Sequence, residues 1–354
     1  MIERQELLAG DHATKAMGMA KGELEVGGEG VEGPATAALS LSPASLRAIL
    51  SGVMPAVVLV ALILVVGFFA PSFLSLYSFG VLLGESTIIL LLAIPQTMVI
   101  MIGGIDLSIA SIASLASILL ALLLPEIGFW AIPAVLVACM AIGATQGYIH
   151  VVAQVPSFVV TLAGLGLWSG IALAIAHTTI SVDEGYDAVG WLQATVLGIP
   201  IAFFGGLALL LALVLVFRRM SIGRYVLAIG LGETAALLSG IRVGRVKILI
   251  FTLSGLFAGI AGVAMVARSY AGNPSGADKL LLPSIAAVVI GGTAITGGFG
   301  GLGRTLIGVL TVTVLRVGIA IVGIDPGYEP LAYGLVIIGA VALTMDRARI
   351  SVVK

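Results

Sequence analysis

Charge is what this sequence lacks. Only 10% of its 354 residues are Asp, Glu, Lys or Arg, against roughly 25% in an average soluble domain. Seventeen basic and eighteen acidic residues leave a formal net charge of −1, so no basic excess exists from which to build a nucleic-acid surface. Cysteine is nearly absent too. The one thiol, Cys139, cannot form an intrachain disulfide or a structural zinc site, and in the apolar run 134–143 it reads as a small buried hydrophobe. His150 and His177 lack the spacing of metal ligands, and no hydrolytic triad or paired-carboxylate pattern occurs. What remains is apolar. Hydrophobic residues make up 60% of the chain and the mean hydropathy is +1.21, which excludes a water-soluble globule. The 47 glycines, nearly twice the average share of about 7%, suit membrane helices that pack backbone to backbone. The expected fold is an all-α polytopic membrane protein.

Residues 1–46 differ from the rest. They hold Glu3, Glu6, Asp11, Glu23, Glu25, Glu29 and Glu32 against Arg4, Lys15 and Lys21, with no repeat at helical spacing. This reads as a disordered cytoplasmic tail rather than a secretory signal, since no basic start leads into an apolar core. A transmembrane domain at 47–346 and a short cytoplasmic C-terminus at 347–354 follow. Ten apolar blocks of about 17–23 residues, long enough to span a bilayer as helix, are marked at 48–69, 79–101, 105–124, 129–150, 157–177, 199–217, 248–268, 281–297, 305–323 and 330–345. Gly103-Gly104 between the second and third, and Gly291-Gly292 in the eighth, mark segments that are broken or re-entrant.

The basic residues set the orientation. With an inside N-terminus, the inside segments hold Arg4, Lys15, Lys21, Arg47, Arg218, Arg219, Arg224, Arg242, Arg245, Lys247, Arg304, Arg347, Arg349 and Lys354. Only Arg268 and Lys279 fall outside, and Arg316 lies within a span. The acidic loop at 183–187 belongs outside, so both termini are expected in the cytoplasm.

One inside segment, about 218–247, is long enough to hold a helix away from the membrane. Glu233–Ser239 is a run of helix formers with Gly240 as a stop. It reads either as a docking element for a soluble partner or as a charged connector. Within the spans, ionisable residues are costly and rarely idle. Glu85 and Asp106 are the acidic candidates. Asp106 follows the double glycine and precedes Ser108, so it is either a helix cap or a solute contact. Pro95-Gln96-Thr97 kinks its span, lines a pathway, or both. Arg316 needs a partner or a water-filled cavity. Between Gly291 and Thr305, a dinucleotide-like Gly298-x-Gly300-x-x-Gly303 and a phosphate-loop-like Gly298–Thr305 lack the strand–helix context of either motif, and a tight turn between spans explains them better.

Taken together, Gly103-Gly104-Ile105-Asp106-Leu107-Ser108, Gly223-Arg224-Tyr225 with Ala228-Ile229-Gly230, Ala235-Ala236 to Ser239-Gly240-Ile241, Ile285 to Thr293 with its trailing glycines, and Thr305-Leu306-Ile307-Gly308 resemble the permease subunit of ribose-type ABC importers. The resemblance covers about residues 50–346, in order. It implies a permease for a monosaccharide or sugar alcohol that works by alternating access, paired with a second permease subunit. The other implied partners are two cytoplasmic ABC ATPase subunits, which would hold ATP-Mg, an extracytoplasmic solute-binding protein and the lipid bilayer. No cofactor would bind this chain and no catalysis would occur on it. In this reading Gly223, Arg224, Glu233, Ala235, Ala236 and Gly240 couple to the ATPase, with Glu233 free to pair with a basic residue there. Glu85, Gln96, Asp106, Ser108 and Arg316 are the candidate pathway residues. The sequence departs from the family at Pro95-Gln96, where Gly-Met is common, at Leu237, where a basic residue is common, and at Arg316-Val317, where ribose permeases tend to carry two asparagines. These departures point to a solute other than ribose. The alternatives are a nucleoside or other non-sugar solute in the same fold, and a self-contained secondary transporter or channel.

The charge asymmetry makes a direct prediction. A cytoplasm-active reporter fused after Lys354 reports inside, and one inserted near Asp187 reports outside. The same side for both would mean a miscounted helix.

Overall fold

The computed structural model describes residues 43–344, with side chains over 53–339. Most of the tail expected at 1–46, and the C-terminus at 347–354, lie outside the described residues. Helix dominates. In chain order the principal helices are α1 (Pro43–Phe69), α2 (Leu76–Met101), α3 (Ile109–Ile127), α4 (Ala131–Val152), α5 (Ser157–Ile175) and α6 (Ile201–Arg219). They continue with α7 (Ser221–Leu231), α8 (Glu233–Leu238), α9 (Val243–Ser269), α10 (Leu281–Ile290), α11 (Leu302–Ile321) and α12 (Glu329–Thr344).

Each expected span coincides with a helix, but not every helix is long enough to cross. Six apolar segments among the described residues meet that length, one of them a 44-residue run from Ile109 to Val152. Gly128, at φ +56°, divides that run into α3 and α4. The span expected at 281–297 closes after ten residues, a rise of about 15 Å against a hydrocarbon core of about 30 Å. The reason is local. Gly292 takes φ +84°, and the chain then runs through a glycine-rich turn to Gly301 before α11 begins.

α9 is the axis of the bundle, packed against α2, α3 and α4. It approaches α4 closely because both helices carry glycine one turn apart. A Cβ on Gly143 would lie 2.2 Å from the Phe251 carbonyl, and one on Gly255 would lie 2.1 Å from that of Cys139. Gly147 and Gly259 extend the same seam, each with a Cβ position about 3 Å from the opposing helix. Small residues at i and i+4 on facing helices replace side-chain interdigitation with backbone contact, the usual solution where lipid removes the hydrophobic drive between helices. Cys139 is buried in this seam.

The connections sort into two sets by their contacts. At one end, β1 (Ile180–Ser181) pairs antiparallel with β4 (Ala271–Gly272), while β2 (Thr195–Val196) and β3 (Ile199–Pro200) form a hairpin between them in sequence. Tyr186 stacks on Tyr270 with ring centroids 4.2 Å apart and donates to the Ala267 carbonyl at 2.5 Å. Burial pushes the Tyr186 hydroxyl up to about 12, so it remains a donor at any physiological pH. At the other end lie the turn 102–108, the link 153–156, the segment 220–242 and the turn 291–301, joined by close approaches such as Gly230 on Met101 and Gly104 on Ser157.

The α4–α9 seam generates a stability prediction. Gly255→Ala forces two backbones apart and is expected to cost about 1–3 kcal/mol, the usual range for overpacking. Gly166→Ala on α5, where nothing lies within 4 Å of the new methyl, is expected to be neutral or slightly stabilising. Thermal unfolding of the detergent-solubilised protein compares the two.

Candidate translocation and coupling sites

Asp106 lies in the turn between α2 and α3 and is 1% exposed. Its Oδ1 accepts from the Ser108 amide at 2.9 Å and the Ser108 hydroxyl at 2.6 Å, and its Oδ2 accepts from Ser254 of α9 at 2.6 Å. Ser108 Oγ also lies 2.9 Å from the Gln146 carboxamide of α4. The Ser108 hydroxyl is thus shared between the Asp106 carboxylate and the Gln146 Oε1, and Gln146 Nε2 has no partner among the described residues. The rest of the turn is tied to α5: Thr161 donates to the Ile105 carbonyl at 3.0 Å, and the Ile105 amide donates to Ser157 at 3.3 Å. The carboxylate has three donors, which brace the turn two residues ahead of Ser108, the N-cap of α3.

Gln96 is different. It sits mid-helix on α2 beside Pro95, fully buried, and neither atom of its carboxamide has a partner. The neighbouring Thr97 is occupied, 2.8 Å from Thr305 of α11. A buried polar group left unpaired costs about 1–3 kcal/mol, so Gln96 is a standing donor and acceptor that the described residues do not use.

Glu85 and Arg316 are brought together, with two residues that sequence reasoning missed. Glu85 on α2 forms ion pairs with Arg268, in the last turn of α9, and with Arg316 on α11 at 3.9 Å. Arg316 Nε is 3.6 Å from Glu329, the first residue of α12, which also accepts from Tyr333 at 3.2 Å. Two acids and two bases from four helices thus form one partly exposed cluster, with side-chain exposures of 19–38%. It supplies the partner that Arg316 required and gives Glu85 two basic partners distant in sequence. Arg268 and Glu329 gave no signal because a charge at a span boundary is ordinary. The Glu85–Arg268 pair joins positions 183 residues apart.

The segment expected inside, 218–247, holds α7 and α8. Gly223 is buried, and a Cβ there would lie 2.0 Å from the Phe217 carbonyl, so the close turn from α6 into α7 requires glycine. Arg224 is exposed. The stop at Gly240 is a Schellman turn: Gly240, at φ +82°, donates to Leu237 at 3.0 Å and Ile241 donates to Ala236 at 3.1 Å. Two expectations change here. Glu233 pairs within the chain, 2.7 Å from the largely buried Lys247 on α9, so it pins α8 to the bundle. Ala236 faces inward at 3% exposure, away from Gly240. Gly240 lies beyond the last helical residue, Leu238, so the four-residue spacing does not put it on the face of Ala236. The outward surface belongs to Ala235, Leu237 at 61% and Leu238 at 84% exposure. Beside it, a cavity of about 440 Å³ is lined by Tyr225, Ser239, Arg242 and Arg245 among others.

The glycines of the 291–301 turn are filled by protein. A Cβ on Gly297 would lie 2.7 Å from the Gly103 amide, one on Gly298 2.8 Å from that of Leu231, and one on Gly300 2.5 Å from Thr293. These positions serve packing rather than a nucleotide cradle.

Comparison with known proteins places this architecture. The family described as branched-chain amino acid transport system / permease component matches residues 78–345. The chain is 38% identical to the "Probable ABC transporter permease protein YphD" of Escherichia coli (strain K12), over 80% of this chain and 86% of that one. It is 32% identical to the ribose import permease protein of the same strain, over 80% and 91%. Against the fructose import permease protein of Rhizobium meliloti it is 34% identical, over 82% and 84%. No solved structure matches the chain.

The Asp106 site predicts a stability defect. Asp106→Asn leaves at least one of its three donors without an acceptor, a loss of about 1–3 kcal/mol. A lower unfolding temperature and lower membrane abundance are expected, while Glu85→Gln, in a partly exposed pair, costs less than 1 kcal/mol or about that. Equal unfolding temperatures for Asp106→Asn and the parent would refute a structural role for the carboxylate.

Proposed function

This chain belongs to the family of branched-chain amino acid transport system permease components, and from that premise we propose that it is the membrane subunit of an ATP-driven ABC importer for a monosaccharide or sugar alcohol. Relatives named for ribose and fructose import support the solute class. The observation that carries the coupling half of the reading is α8, a helix closed by its own Schellman turn that offers Leu237 and Leu238 to a soluble partner. In this reading α7 and α8 face the cytoplasm, with both termini, and dock on an ABC ATPase that holds ATP-Mg. The chain works beside a second permease subunit, and an extracytoplasmic binding protein delivers the solute to the end carrying β1–β4.

The polar groups along the bundle then have distinct tasks. Asp106 and Ser108 hold the α2–α3 turn. Gln96 offers both a donor and an acceptor to hydroxyl groups that pass it. In the cluster of Glu85, Arg268, Arg316 and Glu329, carboxylates can accept from a sugar hydroxyl and guanidinium groups can donate to one. Because the charges already neutralise one another, no charged solute is needed to balance them. Weak contacts suffice, since the binding protein supplies affinity and the permease must release its cargo. ATP binding would draw the ATPase pair together, push α8 and reorient the helices between inward and outward access.

Co-purification with the ATPase and uptake of labelled ribose, fructose, allose, sugar alcohols, a nucleoside and leucine test this reading. Leu238→Glu is expected to lower ATPase association at least tenfold and to abolish uptake, with the spans still inserted. Glu233→Gln is expected to do less, since it removes one contact between α8 and Lys247 and leaves the outward face of Leu237 and Leu238 intact. Uptake confined to the nucleoside or leucine would replace the sugar assignment. Unchanged association and uptake in Leu238→Glu would favour a self-contained carrier.

A further inference from the structure

Three separate segments meet behind the coupling helices with no side chain between them. A Cβ on Gly230, near the end of α7, would lie 2.0 Å from the Met101 carbonyl at the end of α2 and 2.3 Å from the Gly298 amide. A Cβ on Gly297 would lie 2.7 Å from the Gly103 amide and 3.2 Å from the Gly230 Cα. The Gly298 amide donates to the Met101 carbonyl at 3.0 Å, and Gly103, Gly297 and Gly298 take φ of +78°, +82° and +73°. The end of α2, the end of α7 and the turn between α10 and α11 are therefore in backbone-to-backbone contact. Val226 and Ile229 of α7 are both buried.

The two elements that α7 touches in this way adjoin candidate pathway residues. α2 bears Glu85 and Gln96, and α11 bears Arg316. Side chains can repack when a neighbour moves. Abutting main chain cannot, so a displacement on one side is passed on whole. We propose that Gly230 is a positioning residue that passes movement of the coupling segment directly into α2 and the α10–α11 turn. This is a route separate from the covalent links through α6 and α9, and it rests on the reading of α8 as the ATPase-docking element.

Hydrogen–deuterium exchange on the permease–ATPase complex, with and without MgATP, tests the route. In the parent, MgATP is expected to change exchange at 97–104 and 291–301 together with 226–240. In Gly230→Ala the ATPase still co-purifies, the change at 226–240 persists, and the changes at 97–104 and 291–301 fall at least threefold. Gly232→Ala is the control, because only the Ala235 methyl lies near its Cβ position, at 3.8 Å, and it is expected to behave as the parent. If Gly230→Ala keeps all three changes, or Gly232→Ala loses them equally, the junction is not the route. If Gly230→Ala does not accumulate, the parent decides: changes confined to 226–240 and the adjoining ends of α6 and α9 overturn the proposal. No change at 226–240 in the parent would instead bring down the docking reading and this inference with it.

Discussion

Close backbone approach is the constraint on which the rest of this structure depends. In lipid, apolar side chains gain nothing by leaving the solvent, so helices must find contact energy in packing itself. The α4–α9 seam shows the solution at its tightest, with glycine at 143, 147, 255 and 259. The crossing of α10 and α11 repeats it, where a Cβ on Gly308 would sit 1.8 Å from the Ala287 carbonyl. A composition that looks permissive in sequence is restrictive in three dimensions. Many of these glycines stand where any side chain would push main chain aside.

The second constraint is the treatment of polar groups. Most buried hydroxyls turn back onto their own helix, as Thr311 does to Ile307 and Thr313 to Val309. Those two are thereby silenced without crossing between helices. Against that background the exceptions stand out. Asp106 gathers α3, α4 and α9 around one carboxylate, fixing the break between α2 and α3. Gln96 gathers nothing.

The helices were legible in the sequence because apolar runs of fixed length bounded by glycine have few alternatives. Gly103 and Gly240 could be read as breaks, since a positive φ leaves a composition signal. The candidate sites were legible only as types. Nothing near Glu85 announces Arg268, because the bundle topology rather than local spacing brings them together. Ala236 shows a related gap: helical periodicity gives relative faces, and only tertiary packing says which is inward. The turn at 291–301 misleads in the opposite sense, since the glycines that let a phosphate approach a main chain equally let another main chain approach.

The cancelled charges of Glu85, Arg268, Arg316 and Glu329 have an electrical consequence. A unit charge crossing a membrane exchanges about 2.3 kcal/mol with every 100 mV. Four fixed charges that sum to zero ask an uncharged solute to bring no counter-ion. If the four residues move as a group, their opposed charges cancel and contribute little net gating charge. On the reading proposed above, the membrane potential finds little to pull on in this cluster.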